Sequence, residues 1–273
     1  MNNHTLTPLE VYRLAVEQQG FVSDAAQQHA AEQLQRCYQA LHRGGLPQGV
    51  YLWGPVGRGK TWLMDSFHDA LQVPARRQHF HHFMGWVHRR LFQLTGTAEP
   101  LQVLARELAK EIRVLCFDEL FVSDIGDAML LGGLFRSLFD EGVVLVATSN
   151  QPPEQLYAGG HNRERFLPAI DALLQHMQVV AVDGSQDHRQ HPGQGHQRYW
   201  VREAGQPSAL PALLAALRQG EPVSHEPLQV GHRRIDVHSH SERVLHGGFD
   251  QLCEQPLAAG DFILLCDLSL IHI

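Results

Sequence analysis

Short strand-like segments alternate along the chain with longer stretches whose apolar residues recur at helical spacing. Strands are expected near residues 50–53, 76–83, 113–117, 143–148 and 178–182, with helical patterns between them. Val114-Leu115-Cys116-Phe117 is apolar throughout, as a parallel strand buried on both faces should be. Residues 8–42 read as helices. Pro8 stands early, Asp24 is a candidate N-cap for the stretch running to Leu41, and Gly44-Gly45 ends it. Strand and helix in alternation imply an α/β fold, a parallel sheet with helices on both faces. The right-handed crossover rule restricts its winding.

Beyond residue 184 the composition shifts. Residues 186–197, rich in His, Gln and Gly, read as a loop, and Tyr199-Trp200-Val201 as a short strand. Leu210 to Leu217 has a helical pattern, and residues 228–246 alternate as β-structure does. Four parts are therefore expected: a helical N-terminal segment (1–45), a core (46–184), a smaller, partly β C-terminal appendage (185–262) and a tail (263–273).

The core carries the chemistry. Gly54-Pro55-Val56-Gly57-Arg58-Gly59-Lys60-Thr61 fits G-x-x-x-x-G-K-[ST], the phosphate-binding loop (P-loop) of nucleotide hydrolases. An apolar strand precedes it, and a helical pattern opening at Trp62 follows. The glycines let backbone N–H groups wrap a phosphate chain, and the helix start adds its positive dipole end. Lys60 is suited to the β- and γ-phosphates, and the Thr61 hydroxyl to Mg²⁺. A glycine-rich turn that binds nothing is the competing reading, and the flanking strand and helix count against it.

Two further strand tips complete the pattern. Residues 113–117 end in Asp118-Glu119: Asp118 is expected to hold the Mg²⁺ shell, and Glu119 to orient and polarise the attacking water. Residues 143–148 end in Ser149-Asn150, where Asn150 is the candidate for sensing the γ-phosphate. Gly54, Asp118 and Asn150 each follow an apolar strand, which puts them together at the carboxyl edge of a parallel sheet. Arg163 or Arg165, just before the last core strand, is a candidate arginine finger reaching a neighbouring subunit's γ-phosphate, against solvated charges on an amphipathic helix.

Other residues invite bolder readings. His79 and His81 would share one face of a strand at 76–83, with His82 on the other, yet no carboxylate or Cys stands in register to make a metal site. The same holds for His238, His240 and His246, and packed or solvated histidines are the favoured reading of both groups. Phe121 is expected to pack under a helix at 127–131, with contact to a threaded polypeptide as the lesser alternative.

At 273 residues, 44% hydrophobic and 19% charged, the chain can bury a sizeable core and has the composition of a soluble globular protein. A net charge of −7 argues against non-specific nucleic-acid binding as the main activity, and 19 histidines make that charge sensitive to pH. The cysteines at 37, 116, 253 and 266 show no C-x-x-C spacing and fit a reducing cytosol. The start, Met1-Asn2-Asn3-His4, has no character of a targeting segment. No apolar run approaches the roughly 18 residues of a membrane span, so a cytoplasmic location is expected.

The longer text around these motifs resembles the ZapE-type AAA+ ATPases of bacterial cell division and their mitochondrial relatives. The resemblance is carried by V-Y-L-W-G-P-V-G-R-G-K-T-W-L-M-D-S-F, H-F-H-H-F-M-G-W-V-H-R-R-L, V-L-C-F-D-E-L-F-V-S-D-I-G-D-A-M-L-L, V-V-L-V-A-T-S-N-Q-P-P-E-Q-L-Y and N-R-E-R-F-L-P-A-I. It spans roughly residues 8–262. It implies Mg²⁺-dependent ATP hydrolysis by a homo-oligomer, coupled to work on a protein partner such as a cell-division protein. It also implies a nucleotide set of residues 54–62 (ending in Trp62) with Asp118, and catalytic roles for Lys60, Glu119, Asn150 and one of Arg163 or Arg165. Pro55 departs mildly, standing where many relatives have a small residue such as glycine. The tail after residue 262 looks unrelated to the family, as in a truncated or mis-assembled reading frame, so the C-terminal lid elements that contact nucleotide are expected to be incomplete. Two other readings stay open: a nucleotide-switched adaptor without turnover, and a helicase-loader-like ATPase acting on DNA.

Overall fold

In the computed structural model, five parallel strands make one sheet in the order β2-β3-β4-β1-β5. They are β1 (Gly49–Trp53), β2 (Ala75–His79), β3 (Val114–Asp118), β4 (Val144–Ser149) and β5 (Met177–Ala181). The structure describes residues 6–18, 22–184, 208, 210–230, 233–242, 244–257, 261–262 and 265. The chain divides into two compact units, 1–193 and 194–273.

The sheet is buried on both faces because its strands alternate two apolar sets. Tyr51, Leu115, Phe117, Leu145 and Ala147 face one side. They pack on α4 (Phe80–Gln93), α5 (Pro100–Glu111), α6 (Ile125–Asp140) and α7 (Leu167–His176) through residues such as Phe83, Leu104, Phe135 and Leu173. Val50, Leu52, Val114, Cys116, Val144 and Val146 face the other. There they meet α1 (Pro8–Gln18), α2 (Ala25–His42) and α3 (Lys60–Ala70) through Tyr12, Leu34, Met64 and Phe67. The expected parallel α/β sheet with helices on both faces is thus present.

Asp24 caps α2 as expected, its Oδ1 accepting from the N–H groups of Ala26 at 2.8 Å and Gln27 at 3.2 Å. Its backbone is also held by the Tyr12 hydroxyl, which donates to the Asp24 carbonyl at 3.0 Å.

Three readings of the sequence fail. The strand expected at 76–83 ends at His79, and Phe80 already begins α4. Phe80, Phe83, Met84 and Val87 are all buried, and their i, i+3, i+4, i+7 spacing is that of a helix face. His79 therefore ends a strand while His81 and His82 ride on a helix, so the shared strand face for His79 and His81 does not exist. Phe121 does not pack under α6: it is 48% exposed, and its neighbours Leu120 and Val122 are the buried residues. Residues 163–165 form a 3₁₀ turn rather than an amphipathic helix.

In the second unit the expected helix is present as α8 (Leu210–Arg218). The β-structure resolves into β6 (Leu228–Val230) paired with β7 (Arg233–Ile235), and β8 (Ser239–His240) paired with β9 (Leu245–His246), followed by α9 (Phe249–Cys253). Val230, Ile235, Val237 and Leu265 form its small apolar core. The loop at 186–197 and the strand at 199–201 fall outside the described residues. Among the described residues no group of three or more His, Cys, Asp or Glu side chains is arranged to hold a metal.

Candidate nucleotide site

The loop between β1 and α3 turns on glycine. Gly54 sits at φ +150°, and a Cβ there would lie 2.3 Å from the Val182 carbonyl oxygen. Gly59 caps α3 in the left-handed region at φ +78°. The loop and the β4 tip line a cavity of about 280 Å³ that reaches Glu119 and Asn150. Residues 56–62 all border it, whereas Gly54 and Pro55 do not.

Lys60, the first residue of α3, is only 8% exposed. Its ammonium donates to the carbonyls of Gly54 (2.7 Å) and Pro55 (2.8 Å) and to Asn150 Oδ1 (3.1 Å). Burial lowers its pKa, while Asp118 and Glu119 pull the other way. A charge held back by neutral acceptors is ready for an anion that replaces them.

Asp118 ends β3, 3% exposed, with its carboxylate tied on every side. Oδ1 accepts from the hydroxyls of Thr61 (2.9 Å) and Thr148 (2.8 Å). Oδ2 accepts from Arg77 Nη2 at 2.9 Å, and the same guanidinium donates through Nε to Asp65 on α3 at 3.0 Å. Burial works against the Arg77 charge, but its bonds and proximity to Asp65 and Asp118 prevail and raise its pKa. His79 Nδ1 lies 3.9 Å from the same Asp118 oxygen. Hydroxyl and carboxylate oxygens side by side suit Mg²⁺, which takes few protein ligands and completes its shell with water and phosphate.

Glu119 follows with φ +55° and an exposed side chain. Its N–H donates to Thr148 Oγ1 at 3.0 Å, so one buried hydroxyl braces both acids. Such a non-glycine residue in the left-handed region is held there by its surroundings. Glu119 and Asn150 also border a second cavity, of about 400 Å³, with His81 and Phe121 at its rim.

All the expected P-loop and strand-tip residues therefore meet at one sheet edge. The arginines are different. Arg163 is half-buried, with Nη2 donating to the Glu154 carbonyl of its own chain at 2.5 Å, whereas Arg165 is exposed. Sequence reasoning missed Thr148 and Arg77. Thr148 is the residue two before Asn150 on the same tip, and Arg77 is opposite Cys116 in the β2–β3 register, two pairs before Asp118.

The model of the AFG1-like ATPases matches residues 6–270. This chain belongs to the AFG1-like ATPase family. The match runs past residue 262, where the family likeness was expected to stop. The cell division protein ZapE of Escherichia coli K12 is 37% identical over 294 aligned positions, covering 97% of this chain and 78% of that protein. Lactation elevated protein 1 homolog B of Danio rerio is 38% identical, covering 80% of this chain and 46% of that protein. Among solved structures, AMPPCP-bound DnaA from Aquifex aeolicus overlaps this family member with a TM-score of 0.47 at 16% identity, covering 63% of this chain and 51% of that one. DnaI overlaps it with a TM-score of 0.47 at 18% identity, covering 59% of this chain and 87% of that one. No described helix is long and apolar enough to cross a membrane.

Proposed function

We propose that this protein hydrolyses ATP with Mg²⁺ and couples turnover to remodelling a protein partner, in the cytoplasm and, by analogy with its ZapE relative, in cell division. One observation carries the reading: Lys60, Thr61, Glu119 and Asn150 line one cavity beside a P-loop, and Asp118 is bonded to Thr61 there.

The loop N–H groups and Lys60 hold the β- and γ-phosphates, Lys60 exchanging its carbonyl partners for phosphate oxygens. Mg²⁺, held through Thr61 and Asp118, supplies neutralisation of phosphate charge. Glu119 orients and polarises the attacking water. Asn150, freed as Lys60 turns to phosphate, hydrogen-bonds the γ-phosphate or the water. Arg163 or Arg165 of a neighbouring copy in a homo-oligomer stabilises the developing charge, a contribution of about 10³–10⁵ in rate. With a net charge of −7, a protein surface is the favoured partner rather than nucleic acid.

Phosphate release and equilibrium ATP binding test this together. Lys60→Ala should lose ATP binding. Glu119→Gln should keep binding and lose turnover by at least about a hundredfold, the scale of general-base catalysis. Wild-type protein that binds ATP yet releases no phosphate would instead be a nucleotide-switched adaptor.

A further inference from the structure

Gln27 lies in the first turn of α2 and is 2% exposed, a buried amide with no place in the mechanism above. Its Nε2 donates to the Arg58 carbonyl at 2.9 Å, across 31 residues of sequence. A Cβ built on Gly59 would lie 2.6 Å from the same nitrogen, so the amide packs directly against that glycine.

Arg58 stands between Gly57 at φ +82° and Gly59 at φ +78°. Gly59, on the C-terminal side of the Arg58–Gly59 peptide, relaxes the local restraint on that peptide's orientation. That peptide is trans, so its C=O and N–H point in opposite directions. Arg58, Gly59 and Lys60 line the nucleotide cavity and Gln27 does not. Pulling the Arg58 carbonyl toward α2 therefore turns the Gly59 N–H away from α2, toward the cavity. The flipped peptide would aim a carbonyl oxygen at phosphate oxygens, acceptor against acceptor.

We propose that Gln27 is a positioning residue for the phosphate loop: its side-chain amide presets the Arg58–Gly59 peptide so that the Gly59 N–H faces the bound phosphates. The proposal rests on the reading of this cavity as an ATP site. It also makes α2 part of the nucleotide machinery, since the first turn of that helix then sets the loop's donors.

The test compares wild type with Gln27→Met, which keeps the length and removes the donor, and Gln27→Glu, which keeps the shape and offers only acceptors when ionised. Leu34→Ala serves as a control that loosens α2 packing without touching the amide. Binding of ADP and of a non-hydrolysable ATP analogue, phosphate release and thermal midpoints are measured on the full chain. Both Gln27 variants should lose affinity for both nucleotides by about tenfold, the scale of one hydrogen bond. KM should rise by a similar factor while kcat stays within about twofold, because the bond serves ground and transition states alike. Leu34→Ala should lower the thermal midpoint and leave affinity unchanged at a temperature where it is folded. The proposal is overturned if wild type binds nucleotide and the Gln27 variants bind as well. It is equally overturned if Leu34→Ala weakens binding as much, or if neither Gln27 variant folds, which would make Gln27 a folding residue. A wild-type chain that binds neither nucleotide removes the ATP reading instead.

Discussion

Thr148 shows how much of the site depends on one buried hydroxyl. It donates to Asp118 Oδ1 and accepts from the Glu119 N–H, so it sets the carboxylate's rotamer and the following peptide's direction at once. Thr148→Val keeps the shape but strands the Glu119 N–H and leaves Asp118 Oδ1 with the Thr61 hydroxyl alone. A buried polar group left unpaired costs about 1–3 kcal/mol. Denaturant unfolding should show a loss of that order, and turnover should fall further than ATP affinity, because Glu119 would lose its bearing. Lys60 yields a pH prediction. Burial depresses its pKa below the ordinary lysine value of 10.5, so in the free protein its ammonium is lost at lower pH than a solvated lysine's. Nucleotide binding needs that charge. ATP affinity should therefore decline as pH rises through a window that opens below the one set by an ordinary lysine. Titrations from pH 7 upward check it. The placement of Thr61, Asp118, Glu119 and Asn150 at one sheet edge was legible, because each follows an apolar strand directly or through the glycine-rich loop. Thr148 and Arg77 were not, because a bracing side chain is defined by register across the sheet, which local spacing does not reveal.

At the level of elements, the strands whose two faces are both apolar were legible to within a residue at each end. The β2–α4 junction was not. Arg76 to His79 carries no apolar alternation, and the helix face of α4 begins at Phe80 and is completed only at Val87, beyond the window read as strand. Phe121 failed for a related reason. Its flanking residues Leu120 and Val122 fill the core, and backbone direction in the loop after β3 decides which of three neighbouring apolar side chains turns outward. The α2 cap, in contrast, was readable from Asp24 alone. It also positions Gln27, whose N–H is one of the two that Asp24 caps. Asp24→Ala should cost about 0.5–2 kcal/mol of stability, the range for losing an N-cap. A thermal melt checks the cost. Nucleotide binding on the same variant should weaken modestly, since the first turn of α2 frays where Gln27 meets the loop.

For the whole molecule, the question is whether one chain completes its own site. In the proposed mechanism every role but one is filled from within the first unit, and the remaining role is the one proposed for an arginine. Arg163 already donates to the Glu154 carbonyl of its own chain and is half-buried, which ties it in place. Arg165, two residues on in the same 3₁₀ turn, projects an exposed guanidinium and is the better candidate to act on a neighbouring copy. In a head-to-tail ring a residue acts in trans across a heterologous interface, in which one copy's loop faces the next copy's arginine. Complementation between two inactive variants tests this directly. Arg165→Ala keeps an intact loop but lacks the finger. Lys60→Ala keeps the finger but cannot hold ATP. Alone, each should release phosphate at a small fraction of the wild-type rate. In an equal mixture, half the subunits are Arg165→Ala, and half of those have a Lys60→Ala neighbour presenting Arg165. Random head-to-tail assembly should then restore about a quarter of the wild-type rate. An arginine acting on its own chain's nucleotide would leave the mixture as inactive as its components, since no subunit would carry both groups. Substituting Arg163→Ala for Arg165→Ala in the same mixture identifies which of the two crosses the interface.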